Sequence, residues 1–113
     1  MAGIREGQID NIVQTLTDQA TIDWDTSLGH VAKVTLTASR IMGAPTNLRE
    51  GQTYNLKIIQ GGAGSFLITW NAIFKWPEDG TAPILSLAAG LYDRMTFIYQ
   101  DGVLDSSSLP DFA

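Results

Sequence analysis

The chain has 113 residues, enough for one domain with its own core and too few for two. Twelve Asp and Glu outweigh seven Lys and Arg, giving a formal net charge of −5, and the cations Arg5, Lys33, Arg40, Arg49, Lys57, Lys75 and Arg94 lie scattered along the sequence. Nucleic-acid binding and docking on an anionic membrane both draw on clustered cations, so neither is expected. There is no cysteine, hence no disulfide, no thiolate nucleophile and no Cys-ligated zinc.

Along the chain, residues 1–17 read as an N-terminal arm. Ile9, Ile12, Val13 and Leu16 would form one stripe on a short helix. The competing pattern is an extended segment, because Leu16, Ala20, Ile22 and Trp24 share strand parity; Gly3 and Gly7 weigh against a helix. The extended arm is the reading adopted. Its opening residues, Met1 to Glu6, lack the apolar stretch of a signal peptide, and no run reaches the length of a membrane-crossing helix.

From about residue 18 to 106 the sequence reads as one all-β domain. Ala20, Ile22 and Trp24 alternate with Thr21, Asp23 and Asp25, and Ser27-Leu28-Gly29 turns the chain. Ala32, Val34, Leu36 and Ala38 alternate with Lys33, Thr35 and Thr37 as in a half-buried strand. Residues 41–51 read as a connection. Tyr54, Leu56 and Ile58 mark a strand that ends at Gly61-Gly62-Ala63-Gly64, and Phe66, Ile68 and Trp70 mark the next. This pair is expected to form a hairpin. Residues 71–92 form a long irregular stretch with Pro77, Gly80, Pro83 and Gly90. Met95 to Gln100 and Val103 to Ser106 flank Asp101-Gly102, a type I′ hairpin signal. Residues 107–113 read as a polar tail. Short strands joined by turns, without helical crossovers, predict an antiparallel β-sandwich or jelly-roll-like domain.

Little in this pattern resembles catalytic chemistry. The glycine cluster precedes a strand, whereas a phosphate cradle opens onto a helix. His30, the lone histidine, lies with Ser27 and Asp25 in one short turn and has no nucleophile elbow near it. Asp23 and Asp25 project from one strand face, too few oxygens for calcium and too close in sequence for a glycosidase pair. Catalytic residues, metal ligands and cofactors are therefore expected to be absent. Among the aromatics, Trp70 and Phe97 follow the inward rows of their strands, while Trp76 is divided between core and contact surface.

The ordered series Gln14-Thr15-Leu16-Thr17-Asp18, Ala20-Thr21-Ile22-Asp23-Trp24-Asp25, Val34-Thr35-Leu36-Thr37 and Ala44-Pro45-Thr46-Asn47-Leu48 resembles a module found at the ends of tailed-bacteriophage structural proteins. The resemblance continues through Gly51-Gln52-Thr53-Tyr54, Ile68-Thr69-Trp70-Asn71, Phe74-Lys75-Trp76-Pro77, Gly80-Thr81-Ala82-Pro83, Thr96-Phe97 and Asp101-Gly102. It implies a β-sandwich in a tail-fibre, tail-tip or capsid-surface protein, commonly a homotrimer and without enzymatic turnover. Because the resemblance starts at Gln14, with no fibrous shaft before it, the expectation is a capsid decoration or head-fibre protein on the major capsid protein. Such a protein is made in the host bacterial cytoplasm and resides on the virion. Ile4, Arg5, Ile9 and Ile12 of the arm are the expected anchor. The rival expectation is a tail-tip module that recognises a host-surface glycan through Trp76, Asn71 and Glu78.

Overall fold

The computed structural model describes residues 13–76 and 85–106. Nine strands occur among them: β1 (Val13–Thr15), β2 (Thr21–Ile22), β3 (Val31–Leu36), β4 (Arg40–Met42), β5 (Thr53–Gln60), β6 (Ile68–Trp70), β7 (Phe74–Lys75), β8 (Tyr92–Gln100) and β9 (Val103–Ser106). A six-stranded sheet has the order β1-β3-β5-β8-β9-β7, and a three-stranded sheet has the order β2-β4-β6. From β1 to β6 the chain changes sheet after every strand.

That alternation corrects the antiparallel pairing expected of the strands. When each strand of one sheet is followed by a strand of the other, the chain returns to the first sheet running in its original direction. The pairs β1–β3, β3–β5, β2–β4 and β4–β6 are accordingly parallel, as is β7–β9. Among the described residues only β5–β8 and β8–β9 are antiparallel. Parallel neighbours need a long crossover, for which a helix is usual; here a strand of the opposite sheet takes that role. The class, all-β with both sheets sharing one core, is as the alternation predicts.

Inward rows follow sequence parity closely. Ala32, Val34 and Leu36 of β3 lie beside Leu56, Ile58 and Gln60 of β5, and Leu56 and Tyr54 lie beside Met95 and Phe97 of β8. Apart from the polar Gln60, these side chains join Ile22, Trp24 and Met42 from the side of the smaller sheet in one buried cluster. Trp24 meets Tyr54 edge-on at 6.0 Å and donates its indole N–H to the Gly29 carbonyl. A buried aromatic ring of this kind needs such a partner for its polar atom.

Four local expectations are corrected. Residues 41 and 42, read as part of a connection, belong to β4, and Phe74 and Lys75 of the irregular stretch form β7. Within the expected arm, residues 13–15 form β1, an edge of the larger sheet. Finally, β5 and β6 are not a hairpin. β6 pairs with β4, and the loop after β5 carries the chain from one sheet to the other. Gln60, only 2% exposed, fastens that loop: its side-chain amide donates to the Phe66 carbonyl at 2.8 Å and accepts from the Phe66 N–H at 3.0 Å. The amide thus pairs with both main-chain groups of a residue that no strand neighbour serves. The C-terminal hairpin forms as read, with Asp101 at φ 54° and Gly102 at φ 82°, the double positive φ of a type I′ turn.

The loop after β5 contains the tightest of the described glycines. Gly64 has φ +78°, and a Cβ there would sit 2.5 Å from the Leu87 carbonyl oxygen and 2.7 Å from the Ala89 nitrogen. Gly90 has φ +84° but faces open space. Gly90→Ala should therefore cost about 1–2 kcal/mol, the left-handed backbone term alone, and Gly64→Ala distinctly more. Urea unfolding of both variants checks the order, and equal midpoints would contradict it.

Candidate functional site

Among the expected site residues, Ile4, Arg5, Ile9, Ile12 and Glu78 lie outside the described residues. Asn71 is exposed, and its Oδ1 accepts a hydrogen bond from the Ile73 N–H at 2.9 Å, closing the turn into β7. Trp76 is half-buried in an aromatic cluster. Its ring centroid lies 5.0 Å from Trp70, 5.8 Å from Phe97 and 6.4 Å from Phe74, and Phe74 and Phe97 meet at 5.1 Å. Trp70 is half-buried in the same group and Phe97 is fully buried. The ring of Trp76 is thus committed largely to its neighbours, which leaves only part of it for stacking on a ligand.

The residues weighed for catalysis and metal binding hold loops together. Asp25 Oδ1 accepts from the Ser27 N–H, the Ser27 hydroxyl at 2.6 Å and the Asn47 amide at 2.7 Å. These bonds hold its carboxyl below the ordinary aspartate range, the Ser27 hydroxyl contributing most. The Ser27 proton is directed at the carboxylate, while His30 rests edge-on against Tyr54 at 5.3 Å, so the three side chains do not line up as a Ser–His–Asp relay. Asp93, 1% exposed, accepts from both the N–H and hydroxyl of Ser86 and ties the segment before β8 to that strand. Among the described residues no group of three or more His, Asp or Glu is placed to hold a metal ion.

Asp18 and Arg40 form a further clasp between the connection after β1 and the start of β4. Arg40 Nε lies 2.8 Å from Asp18 Oδ1, and the Thr37 N–H and hydroxyl both donate to Asp18 Oδ2. The Arg40 hydrogen bond is the main cause that lowers the Asp18 pKa.

Two features of the larger sheet are open among the described residues. The first is the β1 edge. Leu16 N–H donates to Lys33 O, and main-chain groups alternate between the two edges of a strand, so those of Val13 and Thr15 point away from β3. No strand among the described residues pairs with that edge, and the Val13 side chain is 51% exposed.

The second is the outward face, where register assembles what sequence distance had separated. Thr15, Lys33, Lys57 and Arg94 stand in one row across β1, β3, β5 and β8. The expectation of scattered cations is corrected to that extent: three of the seven Lys and Arg are cross-strand neighbours. The signal was present in the outward parity of Lys33, Lys57 and Arg94, but only the register turns parity into a row. Tyr92 lies beneath two of these charges, with Lys57 Nζ 4.3 Å and Arg94 Cζ 5.9 Å from its ring centre.

The chain matches no protein-family model, and neither curated proteins nor solved structures give a match.

Two measurements test these assignments. Because the folded pKa of Asp18 is depressed, its clasp stabilises the fold above the unfolded-state pKa and is lost as pH falls through the folded value. Asp18→Asn should therefore flatten the acid limb of a stability–pH curve, and an unchanged limb would contradict the clasp. Trp76→Ala should destabilise the domain by more than ~1 kcal/mol, since each edge-to-face aromatic pair contributes about 0.5–1.5 kcal/mol beyond its buried area. Thermal unfolding at the parent midpoint would show Trp76 to be a free surface residue.

Proposed function

We propose that this protein is a non-enzymatic structural component of a tailed-phage virion, a homotrimer that decorates the capsid by attachment to the major capsid protein. The observation that carries the reading is the β1 edge, unpaired among the described residues. The proposed anchor, Ile4, Arg5, Ile9 and Ile12, leads directly into β1, whose outward N–H and C=O groups form a template for a further strand. A partner chain that pairs there satisfies main-chain groups and covers Val13, and so couples the anchor to the domain's own sheet. The sequence resemblance supplies the virion context.

The mechanism is adhesive. Each copy buries surface at a junction between capsomers and opposes their separation. A closed three-fold arrangement gives every copy the same two neighbours and leaves no unpaired end to grow into a filament.

Deletion of residues 1–12 should leave the thermal unfolding midpoint within a few degrees of the parent, because β1 is retained. It should abolish attachment to particles that otherwise lack the protein. Full occupancy by the truncated chain would overturn the anchor. Light scattering of the intact chain should give a trimer, and a stable monomer at micromolar concentration would overturn the assembly.

A further inference from the structure

The crossing from β5 to β6 and the segment that leads into β8 pack together at one end of the two sheets. Residues 61–67 and 85–91 contain no charged side chain. They expose Leu67 by 55%, Leu87 by 40% and Leu91 by 38%, and Ala63, Ala88 and Ala89 are exposed in the same loops. Three of the six exposed large hydrophobic residues of the described chain thus fall at this end. Much of the loops' main chain is paired internally. Ser65 N–H donates to Leu87 O at 2.7 Å, Gly90 N–H to Gln60 O at 2.7 Å and Gln60 N–H to Leu91 O at 2.9 Å. Gly64 N–H closes on Gly61 O, and the Gln60 amide takes both main-chain groups of Phe66. Polar groups that already have partners lose little on leaving water. The nearby charges are also engaged: Asp93 is buried against Ser86, and Asp18 pairs with Arg40.

Away from this tip, the outward face of the larger sheet changes character row by row. First come Thr35, Ile59 and Tyr92, next Thr15, Lys33, Lys57 and Arg94, and then Val13, Val31, Asn55 and Thr96. The three cations therefore share one level. Arg94 stands three residues beyond Leu91 on β8, about 10 Å along the strand. Among the described residues none of the three has an ion-pair partner. Tyr92 lies between the tip and that level, and Lys57 Nζ sits 4.3 Å from its ring centre, so the ammonium leans toward the tip. On the smaller sheet the outward row Thr21, Ile41 and Thr69 is uncharged. Lys75 and Asp105 lie with Thr53 and Ile98, about 13 Å beyond the cations. Glu50 reaches the Asp101 N–H at the opposite end.

From this gradient we propose that the tip docks on a phospholipid bilayer. Leu67, Leu87 and Leu91 enter the outer acyl region, and Lys33, Lys57 and Arg94 meet the lipid phosphates. The order apolar, then tyrosine, then cation is the order met along a bilayer normal, where aromatic rings with a polar end favour the interface and cations the headgroups. The depth agrees. Interfacial segments sink about 5–10 Å, which brings a level about 10 Å behind the tip to the phosphates. A protein partner is read instead through hydrogen bonds, roughly one per 100–200 Å² of interface, and the tip has no charge and has turned the groups named above inward. Scattered cations were the ground for expecting no membrane docking, and the register gathers three of them. No helix among the described residues is long and apolar enough to cross a membrane, and the contact proposed is shallow.

The inference stands apart from the virion reading, which rests on β1 and the arm. Its test is co-sedimentation of the full chain at low salt with vesicles of phosphatidylcholine and phosphatidylglycerol in a roughly 7:3 ratio. The parent should bind them. Leu67→Ser and Leu87→Ser should each weaken binding by roughly three- to tenfold. Lys57→Gln and Arg94→Gln should each weaken it by roughly three- to fivefold, and by less on phosphatidylcholine alone. Lys75→Gln, far from the tip, should bind like the parent. Thermal unfolding near the parent midpoint should show that these surface variants fold. An environment-sensitive dye on Ala88→Cys should shift to the blue when vesicles are added, and the same dye on Arg49→Cys, at the opposite end, should not. No binding to the mixed vesicles, unchanged binding by the combined Leu67→Ser and Leu87→Ser variant, or a blue shift at residue 49 without one at 88 would each overturn the proposal. So would light scattering without lipid that shows the tip variants losing self-association, since the leucines would then be covered by a second copy.

Discussion

A strand cannot pair with the strand that precedes it when that predecessor lies in the other sheet. That constraint governs the first six strands. It makes the pairs β1–β3, β3–β5, β2–β4 and β4–β6 parallel, and it places a strand of the opposite sheet inside each connection between neighbours. The two sheets are thereby interleaved in sequence as well as packed in space. Neither can close its core without the other, because Leu36, Leu56 and Phe97 bury against the same cluster that takes Ile22, Met42 and Trp24.

The crossings between sheets are where polar side chains are spent. Gln60 holds both main-chain groups of Phe66 on the way from β5 to β6. The clasp of Asp18 with Arg40 and Thr37 braces the passage from β3 to β4 against the one that leads into β2. Asp25, with Ser27 and Asn47, does the same for the passages out of β2 and β4. These groups would tempt a search for catalytic chemistry, yet each is engaged where the chain leaves a ladder and its backbone needs substitutes for strand partners. Lys33, Lys57 and Arg94, without an ion-pair partner among the described residues, lie elsewhere, on the outward face of the larger sheet. An acidic protein can therefore present a locally positive surface, since at physiological salt charges farther than about 8 Å are largely screened.

Much of the core was legible in the sequence, because period-two alternation says which side chains share a face. Ala32, Val34 and Leu36, then Tyr54, Leu56 and Ile58, then Met95 and Phe97, are buried as their parity requires. The Asp101-Gly102 turn was legible for a different reason: its positive φ values are a local property of two residues. Strand direction and neighbour choice were not legible, since alternation carries no information about which strand lies alongside. The glycines after β5 fitted a hairpin equally well as a crossing, and the difference lies in Gln60 reaching Phe66, a contact no spacing rule contains. β4 and β7 escaped because three and two residues are too few to display a period. The cationic row needed the register of three strands at once, so outward parity at Lys33, Lys57 and Arg94 read as separate surface charges.

The order in which strands leave the ribosome gives the sheet's centre an unusual history. In the finished protein β5 lies between β3 and β8, and β8 is synthesised long after it, following the residues that build β6 and β7. Through that interval the longest strand yet made keeps one edge unpaired, with Tyr54, Leu56 and Ile58 still lacking the cover of Met95 and Phe97. Two nascent chains on one messenger would each expose this edge, the situation in which strands join across molecules. Lys57 stands at the middle of that edge with Lys33 beside it, and charge at mid-edge is a known deterrent to such pairing.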